Sequence, residues 1–298
     1  SGADRLMAAG ITPRAVIGDF DSLSAATRAA LPLGCLHPMA DQDTTDFDKA
    51  LFAIAAPLVL AVGFTGARMD HGLAVMNALV RHADILNSDA VRARWPLLHE
   101  ATTYVAHPAI RNRGTVCGSV SHNDPAAEHP SILATYDGTV VIASAEGRRE
   151  VPAGEFSQGM LTTALEPGEM VVGVRYARPP EGTGSAFVEF ARRLGDFAIA
   201  GAAALLTVRD GVCERARLTI VGMGEGPLRA TAAEDALTGT KLEPGAAPGL
   251  FADVAHEVKA TLDPAEDVHA SSGFRRHLAG VMVQRALTAA LMRTRETR

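Results

Sequence analysis

The chain has 298 residues, 47% hydrophobic and 21% charged, so it can build packed cores and is longer than one ordinary domain. A formal net charge of −6, with no basic stripe interleaved with aromatics, argues against nucleic acid as a partner. Three isolated cysteines, Cys35, Cys117 and Cys213, argue against a disulfide framework or a cysteine-held metal, and the longest apolar run, 50–64, is interrupted by Pro57 and too short to span a membrane.

The first residues lack the basic-then-apolar order of a secretory signal, and a cytoplasmic location is expected. Residues 1–84 read as strand 15–18, helix 24–31, helix 44–55, strand 58–64 and helix 69–82. That alternation predicts a parallel α/β layer, with ligands beyond the carboxyl ends of its strands. Three polar groups sit at such ends. In GDFDS, the period of two lets Asp19 and Asp21 point the same way, toward one hard cation such as magnesium. In QDTTDFDKAL, Asp43, Asp46 and Asp48 cluster at a helix start, where simple capping by Asp43 or Thr44 is the competing reading. In FTGARMDHG, the backbone amides with Arg68 suit phosphate, and an ordinary strand-to-helix turn suits the same residues.

Together and in this order, the three groups resemble the amino-terminal catalytic domain of thiamine pyrophosphokinases. The resemblance implies that Asp19, Asp21, Asp43 and Asp46 surround Mg–ATP, and that Gln42, Lys49, Arg68 and Asp70 position phosphates or substrate. That family's opening strand and its closing β-rich domain are not found beside these motifs. A site without its substrate wall does not orient the attacking hydroxyl, so no diphosphotransfer is expected.

The acidic vocabulary changes near residue 84: residues 1–84 contain nine Asp and no Glu, and residues 85–298 contain nine Asp and sixteen Glu. Leu73, Met76, Leu79, Val80, Ala83 and Leu86 continue at helical spacing across this point, which predicts a joint at residues 80–84 inside a helix or just past its end.

Beyond the joint a helix is expected over 88–100, then a polar segment, AHPAIRNRGTVCGSVSHNDPAAEHP, whose small residues suit close approach to an anionic group. Strands follow at 139–144, 170–176 and 186–191, then a hairpin of 205–208 and 217–221 around RDG, and helices at 232–237, 250–262 and 274–292. GMGEG at 222–226 lacks the strand–turn–helix context of a nucleotide loop, because Pro227 and Leu228 intervene, and reads as a turn.

IRNRGT, SHNDPAAE, TTALEPGEMVVGV, RRLGDFA and ASSGFRRHLAGVMVQRAL resemble the FAD-binding medium subunit of xanthine and carbon monoxide dehydrogenase-type molybdenum hydroxylases, over residues 81–298. The resemblance implies a subunit that takes electrons from an iron–sulfur small subunit, beside a molybdenum-cofactor large subunit, and passes them through FAD. It implies that Thr115, Val116, Gly118 and Ser119 hold the FAD pyrophosphate, that Asp124 contacts the nucleotide side, and that Asp196 and Phe197 lie near the flavin. Val116 and Cys117 depart from the commoner Ile-Gly, and residues 1–84 contain no second clamp of the AGGxS kind.

The expected architecture is therefore a truncated parallel α/β fragment over 1–84, a partial FAD-binding domain over 85–180, and a C-terminal α+β domain over 181–298 of sheet plus helices. The leading expectation is a flavin electron-transfer subunit impaired by the missing half-clamp. The alternatives are a thiamine pyrophosphokinase and a chimera in which neither site works.

Overall fold

The computed structural model describes residues 2–13, 15–18, 20, 23–38, 80–144, 146–242 and 247–296. The chain divides into two units, Ser1–Leu79 and Val80–Arg298. In the first, α1 (Gly2–Ala8), β1 (Val16–Gly18), α2 (Ala25–Ala30) and β2 (Leu36–Pro38) follow in order. β1 and β2 pair in parallel, Val16 opposite Leu36. Ser24 starts α2 because its Oγ accepts the Thr27 amide at 3.2 Å, while its hydroxyl donates to Asp4 Oδ1 at 2.6 Å. The elements expected over 44–79 lie outside the described residues. So do Asp19, Asp21, Gln42, Asp43, Asp46, Lys49, Arg68 and Asp70.

The second unit opens with short helices, α3 (His82–Asn87), α4 (Asp89–Arg94), α5 (Pro96–Tyr104), α6 (Pro108–Arg111), α7 (Val116–His122) and α8 (Glu128–Thr135). The division after Leu79 falls just before α3: Arg81 is extended and bridges Thr115, and α3 begins at His82, so the helical spacing does not pass unbroken through 80–84. The backbone cause is local, since Asp84 Oδ2 accepts the Arg81 amide at 2.9 Å and caps the new helix. The helix expected over 88–100 is two helices, broken at Trp95 because Pro96 removes an amide and keeps the preceding residue out of helical geometry.

Next come β3 (Thr139–Ser144), β4 (Gly147–Pro152), α9 (Ala153–Phe156), β5 (Ser157–Gly159), β6 (Thr162–Thr163) and β7 (Met170–Arg175). β4, β3 and β7 form an antiparallel sheet in that order, and β5 with β6 makes a tight hairpin. β8 (Thr183–Phe190), β9 (Ala200–Arg209), β10 (Val212–Val221) and β11 (Leu228–Arg229) form the main sheet, ordered β11-β10-β9-β8. The chain ends in α10 (Thr231–Leu237), α11 (Ala247–Thr261) and α12 (Ser272–Glu296). The hairpin turns at RDG as expected, and its strands are longer than the sequence pattern marked.

β9 explains the layering. Its alternate residues Ala202, Ala204 and Leu206 face a core with Val283, Ala286 and Ala290 of α12, and with Phe251 of α11. Ala203 and Leu205 face the opposite way, onto Leu97 and Leu98 of α5, Ile132 of α8 and Phe187 of β8. The strand is buried on both faces, which accounts for its nearly unbroken apolar run. Among the described residues no helix is long and apolar enough to cross a membrane.

Candidate functional site

The segment expected to grip an anion folds as the start of α7. Thr115 is its N-cap, with Oγ1 accepting the Gly118 amide at 3.0 Å. The Val116 amide donates to the Val80 carbonyl at 3.0 Å, and the Ser119 amide to the Thr115 carbonyl at 3.0 Å. Three of the four amides from Val116 to Ser119 are thus engaged within the protein. The Cys117 amide is the one that meets no acceptor among the described residues.

The Cys117 side chain points into the core, 6% exposed, and burial pushes its thiol up to about 11. A neutral, inward thiol leaves the outer side of the α7 start to the backbone. The substitution for glycine therefore costs this face nothing. The hydroxyls of Ser119 and Ser121 are partly accessible and make no hydrogen bond among the described residues.

α7 ends at Asn123, which adopts the left-handed conformation (φ 52°) at 1% exposure. Its Nδ2 shares two hydrogens among three acceptors, Ser157 Oγ at 2.9 Å, the Gly159 carbonyl at 2.8 Å and the Thr162 carbonyl at 2.9 Å. One side chain thereby ties the β5–β6 hairpin to the end of α7. Asp124 follows, half-buried, its Oδ1 accepting the Ala126 amide at 2.8 Å. One carboxylate oxygen is thus spent on the turn itself.

GMGEG is the turn after β10, as expected, yet it sits among these loops. The Gly222 amide donates to the Pro125 carbonyl at 2.9 Å. A Cβ at Gly222 would stand 3.1 Å from the Ala198 carbonyl oxygen, and Gly222 holds φ at 75°. One Cβ at Gly226 would collide with Ser157 Oγ. Backbone contact through these glycines joins the loop of Asp124 to the loop of Asp196 and Phe197. At Gly195, φ is 89° and a Cβ would meet the Ala106 carbonyl oxygen at 2.8 Å, which seats that loop on the segment leading to α6.

Thr115, Val116, Gly118, Ser119 and Asp124 are therefore brought to one group of loops with Asp196 and Phe197. The last two are exposed, Phe197 at 67%, beside Leu194 at 79%. The hairpin adds Met160 and Leu161, at 57% and 55%. Sequence reading missed Asn123, Gly222, Gly226 and the hairpin. Asn before Asp-Pro was a visible turn signal, but its hairpin partners lie 34–39 residues away.

Beneath the α7 start, the rings of His82 and His129 stack with centroids 4.6 Å apart, and a Cβ at Gly114 would stand 2.8 Å from the His82 ring. His82 Nδ1 and both ring nitrogens of His129 are buried without hydrogen-bond partners. Burial, then the Arg111 charge, lowers His82 to about 4; burial, then His82, drives His129 well below its ordinary value. Burial, with the Asp124 charge behind it, raises Glu128 to about 7; burial, then the Glu128 charge, raises Glu189 to about 8.

These shifts pull stability in opposite directions. The imidazoles bind fewer protons folded than unfolded, so their contribution is present above pH 6.5 and is lost as pH falls through about 4. The carboxyls bind more protons folded, so theirs is present below pH 4.5 and is lost as pH rises through about 7 to 8. Glu189→Gln, which removes the charge and keeps the shape, is expected to raise stability at pH 8.5 by about 1–3 kcal/mol and to change it little at pH 4.5. Urea midpoints at the two pH values check this; an equal effect at both would refute the assignment.

The comparisons with known proteins bear on the family. A family model described as "FAD binding domain in molybdopterin dehydrogenase" matches residues 37–176, and one described as "CO dehydrogenase flavoprotein C-terminal domain" matches residues 185–290. The chain belongs to the family of FAD-binding medium subunits of molybdenum hydroxylases. It is 38% identical over 237 residues to the 6-hydroxypseudooxynicotine dehydrogenase complex subunit alpha of Paenarthrobacter nicotinovorans, covering 79% of each chain. Among solved structures it is similar to carbon monoxide dehydrogenase from Hydrogenophaga pseudoflava, with 37% identity and a TM-score of 0.67 over 72% of this chain and 73% of that one. It is also similar to quinoline 2-oxidoreductase from Pseudomonas putida 86, with 29% identity and a TM-score of 0.68 over 98% of this chain and 93% of that one. Because the FAD-domain match begins at residue 37, the flavin resemblance is not confined to residues 81–298.

Proposed function

We propose that this subunit holds FAD at the α7 start and relays electrons between an iron–sulfur small subunit and an external acceptor, in a complex whose large subunit carries the molybdenum cofactor. The observation that carries the placement is the unpaired Cys117 amide, with the Ser119 and Ser121 hydroxyls beside it, on loops joined through glycine backbone. An amide without an acceptor at the edge of small-residue loops suits a pyrophosphate oxygen. Exposed Met160, Leu161, Leu194 and Phe197 supply apolar surface suited to a flat ring system. The flavin, when bound, supplies the two-electron chemistry; the protein's residues bind it, orient it and limit water.

Few donors are available at this start. With one open amide, and with no AGGxS-type motif in residues 1–84, the grip is expected to be weaker than that of a two-clamp subunit. Each missing hydrogen bond to a charged group forfeits about 1.5–3 kcal/mol, so affinity falls by at least about tenfold per donor lost. Titration with FAD, followed by quenching of flavin fluorescence, should give saturable binding. Thr115→Val, which uncaps the loop, should weaken it by about tenfold or more at a stability cost of about 1 kcal/mol. Unchanged affinity in that variant would remove α7 from the site.

A second reading concerns residues 1–84. The ordered motifs GDFDS, QDTTDFDKAL and FTGARMDHG alone suggest a pyrophosphokinase-like segment joined to the flavin subunit, and the FAD-domain match that spans the last two of them favours the first reading. Magnesium-dependent ATP binding that disappears in Asp21→Ala is the expected result; its absence in the unaltered chain would discard this reading.

A further inference from the structure

We propose that a second cleft, at the opposite end of α8 from the flavin loops, binds a tetrahedral oxyanion, a phosphate group in particular. α8 has eight residues and is about 12 Å long, so its end at Thr135 and Tyr136 stands well away from Asp124. There the chain between β7 and β8 faces the β8–β9–β10 sheet across a shallow groove open to solvent, whose enclosed space of about 10 Å³ holds about one water, so an anion would sit at its mouth. Arg178 and Pro179 form one lip; Thr183, Thr207, Arg215 and Arg217 line the sheet side. The register sets Thr183, Thr207 and Arg215 in one row across three strands, Thr207 pairing with both of the others.

The charge is unbalanced at this point. Asp137 takes Arg215 Nη2 at 2.6 Å and Arg217 Nε at 2.8 Å on one oxygen, and Arg229 Nη1 at 2.7 Å on the other. Glu234 takes two further bonds from Arg229, at 2.8 and 2.7 Å. Arg178 is exposed and makes no ion pair or hydrogen bond among the described residues. Arg215, Arg217 and Arg229 thus share two carboxylates, and Arg178 adds a further positive charge that no ion pair among the described residues offsets. The chain as a whole is negative, so the excess is local rather than a general basic surface.

Donors are available as well as charge. Arg178 has its whole fork open, and Arg215 uses only one nitrogen. The hydroxyls of Thr183 and Thr207 lie 2.8 Å apart, so one donates to the other and the second keeps a hydrogen for an acceptor in the cleft. Two guanidiniums from facing sides plus a hydroxyl suit an anion with three or four acceptor oxygens and a double charge, which describes phosphate better than a carboxylate.

The unaltered chain is titrated with inorganic phosphate, with a glycerol phosphate monoester, and with acetate, each at constant ionic strength, and the midpoint of thermal unfolding is followed with affinity by calorimetry. Phosphate should raise the midpoint and acetate should not. Arg178→Ala, which removes no native contact, and Arg215→Lys, which keeps the charge and loses the fork, should each weaken phosphate about tenfold or more. Tighter binding of the monoester than of free phosphate assigns the site to a phosphorylated metabolite, and the reverse order to the inorganic ion. An equal response to acetate, retention of affinity in both variants, or loss of the phosphate response in Thr115→Val instead would overturn the proposal.

Discussion

Gly184→Ala is expected to destabilise the second unit by more than about 3 kcal/mol, the largest effect of a methyl added at any glycine among the described residues. Gly184 lies in β8, buried under the last turns of α12. A Cβ there would collide with the Ala290 carbonyl oxygen and stand 2.7 Å from the Thr294 amide nitrogen. Both obstacles are helix backbone, so no rotamer change makes room. The helix itself must lift, and its other contacts resist: Arg293 Nη1 donates to the Ser185 carbonyl at 2.6 Å and to Glu100 Oε2 at 2.7 Å. Ala286 and Ala290 of α12 are fully buried in the core that this movement would open. Equilibrium urea unfolding of the variant measures the cost. A loss below about 1 kcal/mol would mean that α12 does not sit as close to β8 as described.

Asn123→Ala should be the second most damaging change, and the one that couples stability to flavin binding. Both hydrogens of one buried amide would be lost, leaving the Gly159 and Thr162 carbonyls without that donor. Alanine is also strained at a φ of 52°. A cost of about 3–4 kcal/mol follows from these terms together. The β5–β6 hairpin would swing free of α7, carrying Met160 and Leu161 away from the loop group, so FAD affinity should fall by about tenfold or more even where the protein remains folded. Asn123→Gly relieves the backbone strain and restores none of the bonds. If it recovers full FAD affinity, the side-chain clamp is not what positions the hairpin.

Much of the fold was legible without coordinates. The alternation in β3 and the RDG turn between β9 and β10 follow from local chemistry, because a strand's period of two and a turn's need for positive φ are properties of adjacent residues. Pro96 also carried its signal: the break between α4 and α5 was readable in the sequence and was passed over in favour of the apolar spacing around it. Helical periodicity through Val80 did not mark the helix start at His82 for a related reason. Periodicity reports which residues are apolar, while Asp84 and the bridge from Arg81 to Thr115 decided where the helix begins.

The residues of the flavin site divide the same way. The sequence by itself determined the family, through IRNRGT, SHNDPAAE and RRLGDFA, and with it the small residues that let backbone approach an anion. Only the tertiary structure decided which amides remain open. The Val116 amide is consumed by Val80 and the Gly118 amide by the Thr115 hydroxyl, leaving the amide of Cys117, one of the two positions that depart from Ile-Gly. It also decided that Asn123, Gly222 and Gly226 hold the loops together, that β8 must carry glycine at 184, and that Arg178 faces Arg215 across a cleft. Each depends on which distant segments touch, and no periodicity along the chain records a contact made through space.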